Sequence, residues 1–257
     1  MKFEDVISLK LNQITDPAYI QRCKATLDRD GAIVIDNFIT KKALEQIRLE
    51  GEAKKHLAFF TNQQHNIYIS DADLSYPEDH IRNKRVISSK GCITDDKISE
   101  ESVLRTLYDS DTFRSFLKTV LNEQALYSYD DDCSSINLHY ASEGQELGWH
   151  FDNSSFATTL MIQKPEAGGE FQYVRDVRDA DKGEMNFADA EKVLTGEIKP
   201  NMLTIEPGAL VLFRGRNAIH RVTPTIGDIT RMMVVLAYNN KPGVALSASA
   251  RKTFYGK

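Results

Sequence analysis

The chain has 257 residues, 41% hydrophobic and 27% charged, enough for one large domain with a substantial core. A formal net charge of −5 and a pI near 5.7 supply no basic face for a polyanion, which sets nucleic acid aside as a partner. The longest apolar runs, residues 232–237 and 209–213, are far too short to span a bilayer, and Met1 to Asp5 carry no apolar signal core; the expectation is a cytoplasmic protein without a membrane partner.

The first half is expected to be helical scaffolding with one early strand. Asp16 offers a helix cap with Pro17 at the first helical position. Tyr19, Ile20, Cys23 and Leu27 then recur at helical spacing until Gly31 stops the run. Ala32 to Ile35 form a short β-branched run expected as an edge strand. A second helix follows Thr40, through Leu44, Ile47 and Ala53 to about His56. The clearest pattern is Phe113, Phe116, Leu117, Val120 and Leu121 behind a cap at Ser110 or Asp111. Between these helices, residues 61–96 are polar and weakly periodic, with His65, Tyr68, Tyr76, His80, Arg82 and Arg85. A loop of that length inside a compact domain is usually functional, so the segment is a candidate lid. Cys23, Cys92 and Cys133 are odd in number and widely spaced, which indicates neither a disulfide framework nor a thiolate metal site.

After Tyr127 the pattern changes to short strands bounded by Gly, Pro, Asn and Asp: 134–140, 148–152, 156–162, 170–174, 202–205, 209–213, 218–222 and 231–238. Eight such strands imply a double-sheet jelly roll, cupin-like and mainly β, supported by the N-terminal helices. The domain expectation is a single unit over 1–257, with helical scaffold and lid in 1–125 and the jelly-roll core in 126–257. A charged insert at 175–200 interrupts the strands and carries a short helix near Phe187 to Leu194.

Within this core, Trp149-His150-Phe151-Asp152 places an imidazole and a carboxylate two residues apart, on one face of a strand. His220, in another short apolar run, supplies a third ligand from a neighbouring strand. Two neutral imidazoles and one carboxylate on one face of an octahedral metal leave adjacent positions open, which suits a non-haem Fe(II) holding a cosubstrate and O2. An open site of this kind is catalytic, since structural sites are closed.

The surrounding text adds Gly168-Gly169-Glu170-Phe171 after the third strand, Pro207-Gly208-Ala209-Leu210-Val211-Leu212-Phe213 before His220, and Arg231 after it. Over about residues 136–239 this order resembles the Fe(II)/2-oxoglutarate-dependent oxygenases of the prolyl-hydroxylase-like branch. The resemblance implies Fe(II) held by His150, Asp152 and His220, 2-oxoglutarate chelating that metal, and Arg231 as the fork that receives the far carboxylate. Tyr140 resembles the tyrosine that helps hold that carboxylate. Related halogenases carry Gly or Ala where Asp152 stands, leaving room for chloride, so a carboxylate there favours hydroxylation. Desaturation and oxidative cyclisation stay open.

Asn83 to Gly91, Trp149 to Asp152 and Thr253 to Gly256 are also similar to the small stand-alone oxygenases that hydroxylate or halogenate free amino acids such as lysine. That resemblance implies an aliphatic amino acid substrate. Its carboxylate would be held by a loop arginine, here Arg85, and a C-terminal aromatic, here Phe254 or Tyr255. Asp130, Asp131 and Asp132 lie before the first barrel strand, with Asp132 the candidate for an ammonium group. Leu147 and Val235 are apolar near the expected pocket, which leaves valine, leucine or isoleucine open beside lysine. The competing expectations are a hydroxylase of protein side chains and a non-catalytic metal-binding cupin-like barrel. The identity of the substrate carbon and the oligomeric state are not legible in the sequence.

Overall fold

The computed structural model describes the backbone of residues 1–257 and the side chains of all but Ser249, Ala250, Thr253 and Phe254. Helices α1 (Phe3–Val6), α2 (Pro17–Asp30), α3 (Lys41–Lys54), α4 (Val103–Tyr108) and α5 (Asp111–Leu121) occupy the first half, with strands β1 (Ala32–Ile35), β2 (Phe59–Asn66) and β3 (Arg85–Ile93) between them. The second half runs β4 (Ile136–Ala141), β5 (Leu147–His150), β6 (Ala157–Gln163), β7 (Ala167–Gly168) and β8 (Phe171–Val174). It continues with α6 (Phe187–Thr195), β9 (Asn201–Leu203), β10 (Leu210–Phe213), β11 (Ile219–Val222), β12 (Thr225–Ile226), β13 (Arg231–Leu236) and α7 (Ala248–Tyr255).

Local chemistry sets the three long helices. The Asp16 carboxylate accepts from the Tyr19 N–H at 2.7 Å, Pro17 occupies the first turn, and Gly31 closes α2 in the left-handed region at φ +71°. Thr40 caps α3 through the Ala43 N–H, and Ser110 caps α5 through the Phe113 N–H. The α5 stripe of Phe113, Phe116, Leu117, Val120 and Leu121 is buried as its spacing predicts. Each such side chain is worth roughly 1.5–3 kcal/mol of burial.

All strands but β7 and β12, which pair with each other, form one antiparallel sheet in the order β1-β10-β6-β13-β4-β3-β5-β11-β8-β9, with β2 paired to β3. It curls into a nearly closed barrel, the jelly-roll double-stranded β-helix. Closure is visible in side chains that meet across it: the Phe171 ring on β8 lies 4.9 Å from Phe213 on β10, and Phe213 lies 4.8 Å from His220 on β11. As the sequence predicts, β1 is an edge strand, paired to β10 from Ala32↔Phe213 to Ile35↔Leu210.

Both faces of the barrel wall are covered, each by a different core. Along β13, Met232, Val234 and Leu236 join the helical core with Leu27, Ile47 and Phe113, while Met233 belongs to an inner cluster with Met161 and Val211. Outside β5 and β11, Trp149, Phe151 and Ile219 pack with Ile67, Tyr68 and Ile81 from the β2–β3 connection and with Val177, Ala190 and Val193 from the insert. No helix among the described residues is long and apolar enough to cross a membrane.

The expected lid over 61–96 is different in the structure. Most of it is a pair of strands, with β2 and β3 in register from Phe59↔Cys92 to Asn66↔Arg85, and β3 pairs in turn with β4 and β5. Its polar alternation is that of a sheet extension, and only non-local pairing makes that visible. Connection 67–84 buries Ile67 and Ile81 as part of the fold.

Candidate functional site

The barrel encloses a cavity of about 270 Å³ lined by residues of both sheet halves. His150 at the end of β5 and His220 in β11 are cross-strand partners, with ring centroids 4.1 Å apart. Asp152 Oδ1 lies 3.8 Å from His150 Nε2 and 3.5 Å from His220 Nε2, so the three donor groups converge. Each imidazole faces a backbone carbonyl through Nδ1, His150 to Gly148 O at 2.8 Å and His220 to Ala218 O at 3.0 Å. An Nδ1–H that donates to a carbonyl leaves Nε2 with its lone pair, the tautomer a metal needs. Burial, then His220 beside it, drives the His150 ring below its ordinary pKa, which also favours the neutral ligand. Burial opposes the charge on Asp152, yet His220 and His150 outweigh it and keep the carboxyl below its usual range.

The carboxylate is seated by what surrounds it. A Cβ on Gly215 would lie 1.9 Å from Asp152 Oδ2, so any larger residue there must displace the carboxylate. The Asp152 N–H donates to Gly215 O at 3.1 Å. Arg178, from the 175–200 insert, donates to Asp152 O at 3.2 Å and to Arg216 O at 2.7 Å, and lies over the Phe151 ring at 4.3 Å. The insert therefore reaches back and fixes the segment that carries Asp152. Neither Gly215 nor Arg178 stands out in the sequence, because both act through contacts with distant segments.

Arg231 opens β13 and lines the same cavity, buried at 5% exposure. Its Nε has no partner and one terminal nitrogen reaches only Met233 Sδ at 3.6 Å. With no carboxylate to compensate, burial pulls its pKa from 12.5 to about 10. Gly169, at φ +63°, leaves room for it: a Cβ there would come within 2.9 Å of Arg231 Cδ. A buried, orphaned guanidinium in the same cavity as a three-donor cluster fits an anionic group that reaches both. Arg221, by contrast, stacks over Trp149 outside the barrel at 4.7 Å.

The other predicted residues are placed differently. Tyr140 borders the cavity, but its hydroxyl donates to Gly51 O in α3 at 2.7 Å, so it serves the helix–sheet contact. Strand alternation instead points its neighbour His139 inward. Arg85 is exposed at the start of β3, and Lys90, five positions on along that strand, lines the cavity. Asp132 is exposed and accepts only from the Cys133 thiol at 3.1 Å, while Asp131 closes the turn by accepting the Cys133, Ser134 and Leu246 N–H groups. The Tyr255 hydroxyl donates to Asn137 Oδ1 on β4 at 2.6 Å, docking α7 on the barrel outside the cavity lining. The Phe254 side chain lies outside the described residues. Leu147 and Val235 do line the cavity.

The family model described as Halogenase D matches residues 15–253, and the chain belongs to that family. No curated protein sequence matches it. Among solved structures, the chain is similar to a prolyl hydroxylase from Trichoplax adhaerens in complex with a hypoxia inducible factor oxygen degradation domain peptide fragment. They share 14% identity and a TM-score of 0.58 over 91% of this chain and 93% of that one. It is also similar to the non-heme alpha ketoglutarate dependent epimerase SnoN from nogalamycin biosynthesis (10% identity, TM-score 0.61, 87% of this chain and 81% of that one). A third is a 2OG-Fe(II) oxygenase family oxidoreductase from Burkholderia pseudomallei (13% identity, TM-score 0.53, 88% and 92%).

Proposed function

We propose that this member of the Halogenase D family is an Fe(II)/2-oxoglutarate-dependent oxygenase that hydroxylates a C–H bond of a free aliphatic amino acid. The observation that carries the reading is Arg231, a buried cation without a counter-ion, in the same cavity as the His150, Asp152 and His220 donors. A barrel that only stores a metal has no use for such a residue. When bound, Fe(II), 2-oxoglutarate and O2 together supply a one-oxygen oxidation of the substrate, and 2-oxoglutarate leaves as succinate and CO2.

The chain's own residues perform the rest. His150 and His220 would offer their Nε2 lone pairs to the metal, oriented by Gly148 O and Ala218 O, and Asp152 would complete the face. Arg231 would hold the distal carboxylate of 2-oxoglutarate bidentately. Leu147, Phe156, Val222, Met233 and Val235 line the cavity with apolar surface, which keeps water from the reacting carbon and accommodates an aliphatic chain. Although the family bears the name of a halogenase, Asp152 occupies the side on which a halide would need an open position, which favours hydroxylation over halogenation. A cavity of about 270 Å³ suits a small molecule better than a protein segment.

The test is anaerobic reconstitution with Fe(II) and 2-oxoglutarate, then O2 and a panel of free amino acids, with succinate and product mass read together. Gain of one oxygen coupled to succinate is expected. Succinate without an oxidised amino acid would refute the substrate class, and no succinate from an iron-loaded protein would refute the enzyme.

A further inference from the structure

Lys90 projects into the cavity that contains Arg231, His150 and Asp152. Its only hydrogen-bond partner among the described residues is His139, whose Nδ1 and Nε2 lie at the same 3.3 Å from Lys90 Nζ. A nitrogen equidistant from both ring nitrogens is on the lone-pair axis of neither, so the contact leaves ammonium donors unused. Asp152, of the three-donor cluster, is the carboxylate that acts on Lys90, and burial outweighs it. Burial depresses the Lys90 pKa, and burial, then Lys90 and Arg231, drive His139 well below its ordinary value. The cavity thus holds a second cation-bearing group, built by β3 and β4, besides Arg231 on β13.

Resting on the function proposed above, the charge count decides what it is for. The cosubstrate has two carboxylates: one would serve the metal held by His150, Asp152 and His220, and the other would meet Arg231. With Asp152, the divalent metal, Arg231 and doubly charged 2-oxoglutarate, the site is already neutral, and Lys90 is one positive charge in excess. We propose that Lys90, positioned by His139, is the subsite that binds the carboxylate of the primary substrate. The lysine donates to that carboxylate, and His139 keeps the ammonium at the cavity wall. This replaces Arg85, which lies outside the cavity.

The proposal is tested on the full chain loaded anaerobically with Fe(II) and 2-oxoglutarate, by calorimetric titration with hexanoate and, as its uncharged counterpart, hexanamide. Wild type should bind hexanoate and not hexanamide. Lys90→Met should weaken hexanoate binding at least tenfold and Lys90→Arg should restore most of it. His139→Phe should weaken it less than Lys90→Met. Cosubstrate binding, followed separately through the visible charge-transfer band of the Fe(II)–2-oxoglutarate complex, should stay within about twofold in Lys90→Met, and that band also reports that the variant is folded. Equal binding of acid and amide, absence of hexanoate binding to wild type, unchanged binding in Lys90→Met, or a tenfold loss of cosubstrate affinity in that variant would each overturn the assignment, the last by giving Lys90 to 2-oxoglutarate. Selective hexanoate binding together with failure of every free amino acid in the turnover panel would retain this subsite and remove the amino acid reading.

Discussion

Replacing Arg231 with methionine should move stability and cosubstrate binding in opposite directions. In the free protein the guanidinium is 5% exposed, with an orphaned Nε and no counter-ion. The depression of its pKa from 12.5 to about 10 corresponds to a charge-burial cost of about 3 kcal/mol, at about 1.4 kcal/mol per tenfold. Methionine keeps an apolar stem of similar length without that charge, so the cosubstrate-free variant should be more stable by about 1–3 kcal/mol, the upper end applying if nothing repacks. Binding should suffer instead. Removing one member of a buried, hydrogen-bonded charge pair costs about 2–5 kcal/mol, so 2-oxoglutarate affinity should fall by about thirtyfold or more. Urea unfolding of the metal-free protein gives the first quantity and anaerobic titration of the Fe(II) form gives the second. A variant that is less stable when free and binds 2-oxoglutarate as wild type does would refute the reasoning, since Arg231 would then be a structural residue with a satisfied environment.

Three further outcomes follow from the same geometry. Gly215→Ala places a Cβ 1.9 Å from Asp152 Oδ2; the carboxylate must move, and Fe(II) affinity by anaerobic titration should fall at least tenfold, whereas unchanged affinity would show that Asp152 is not seated there. Arg178→Met removes the donors to Asp152 O and Arg216 O, so metal affinity should fall about tenfold while 2-oxoglutarate binding to the metal-saturated form stays close to wild type. For Lys90, burial places the folded pKa below 10.5, so between that lowered value and 10.5 the unfolded chain binds more protons; stability should rise with pH across this window relative to Lys90→Met, and parallel pH–stability curves for the two would contradict it.

Much of the scaffold was legible because its determinants are local. Asp16, Thr40 and Ser110 cap their helices through side-chain bonds three residues on, and Gly31 ends α2 by its left-handed backbone, all within a turn of chain. The barrel strands were legible as short runs bounded by Gly, Pro, Asn and Asp. Residues 61–96 were not: β2 carries little apolar alternation, and its strand character comes from pairing with β3, which in turn depends on β4 and β5.

The composition of the candidate site divides along the same line. Sequence by itself determined which side chains share a strand face, as with His150 and Asp152, and brought His220 and Arg231 to attention through the glycine and proline turns around them. Which face of a strand turns inward is another matter. On β4 every residue from Ile136 to Tyr140 is buried except the half-buried His139, because helices cover the outer face as the cavity lining covers the inner one. Alternation therefore separates His139 from Tyr140 without saying which meets the cavity, and the same ambiguity along β3 separates Arg85 from Lys90. Closure of the barrel decided both, as it decided the placement of Arg178 and Gly215 against Asp152. Those contacts join residues far apart in the chain, and their energies depend on three-dimensional register that no local spacing encodes.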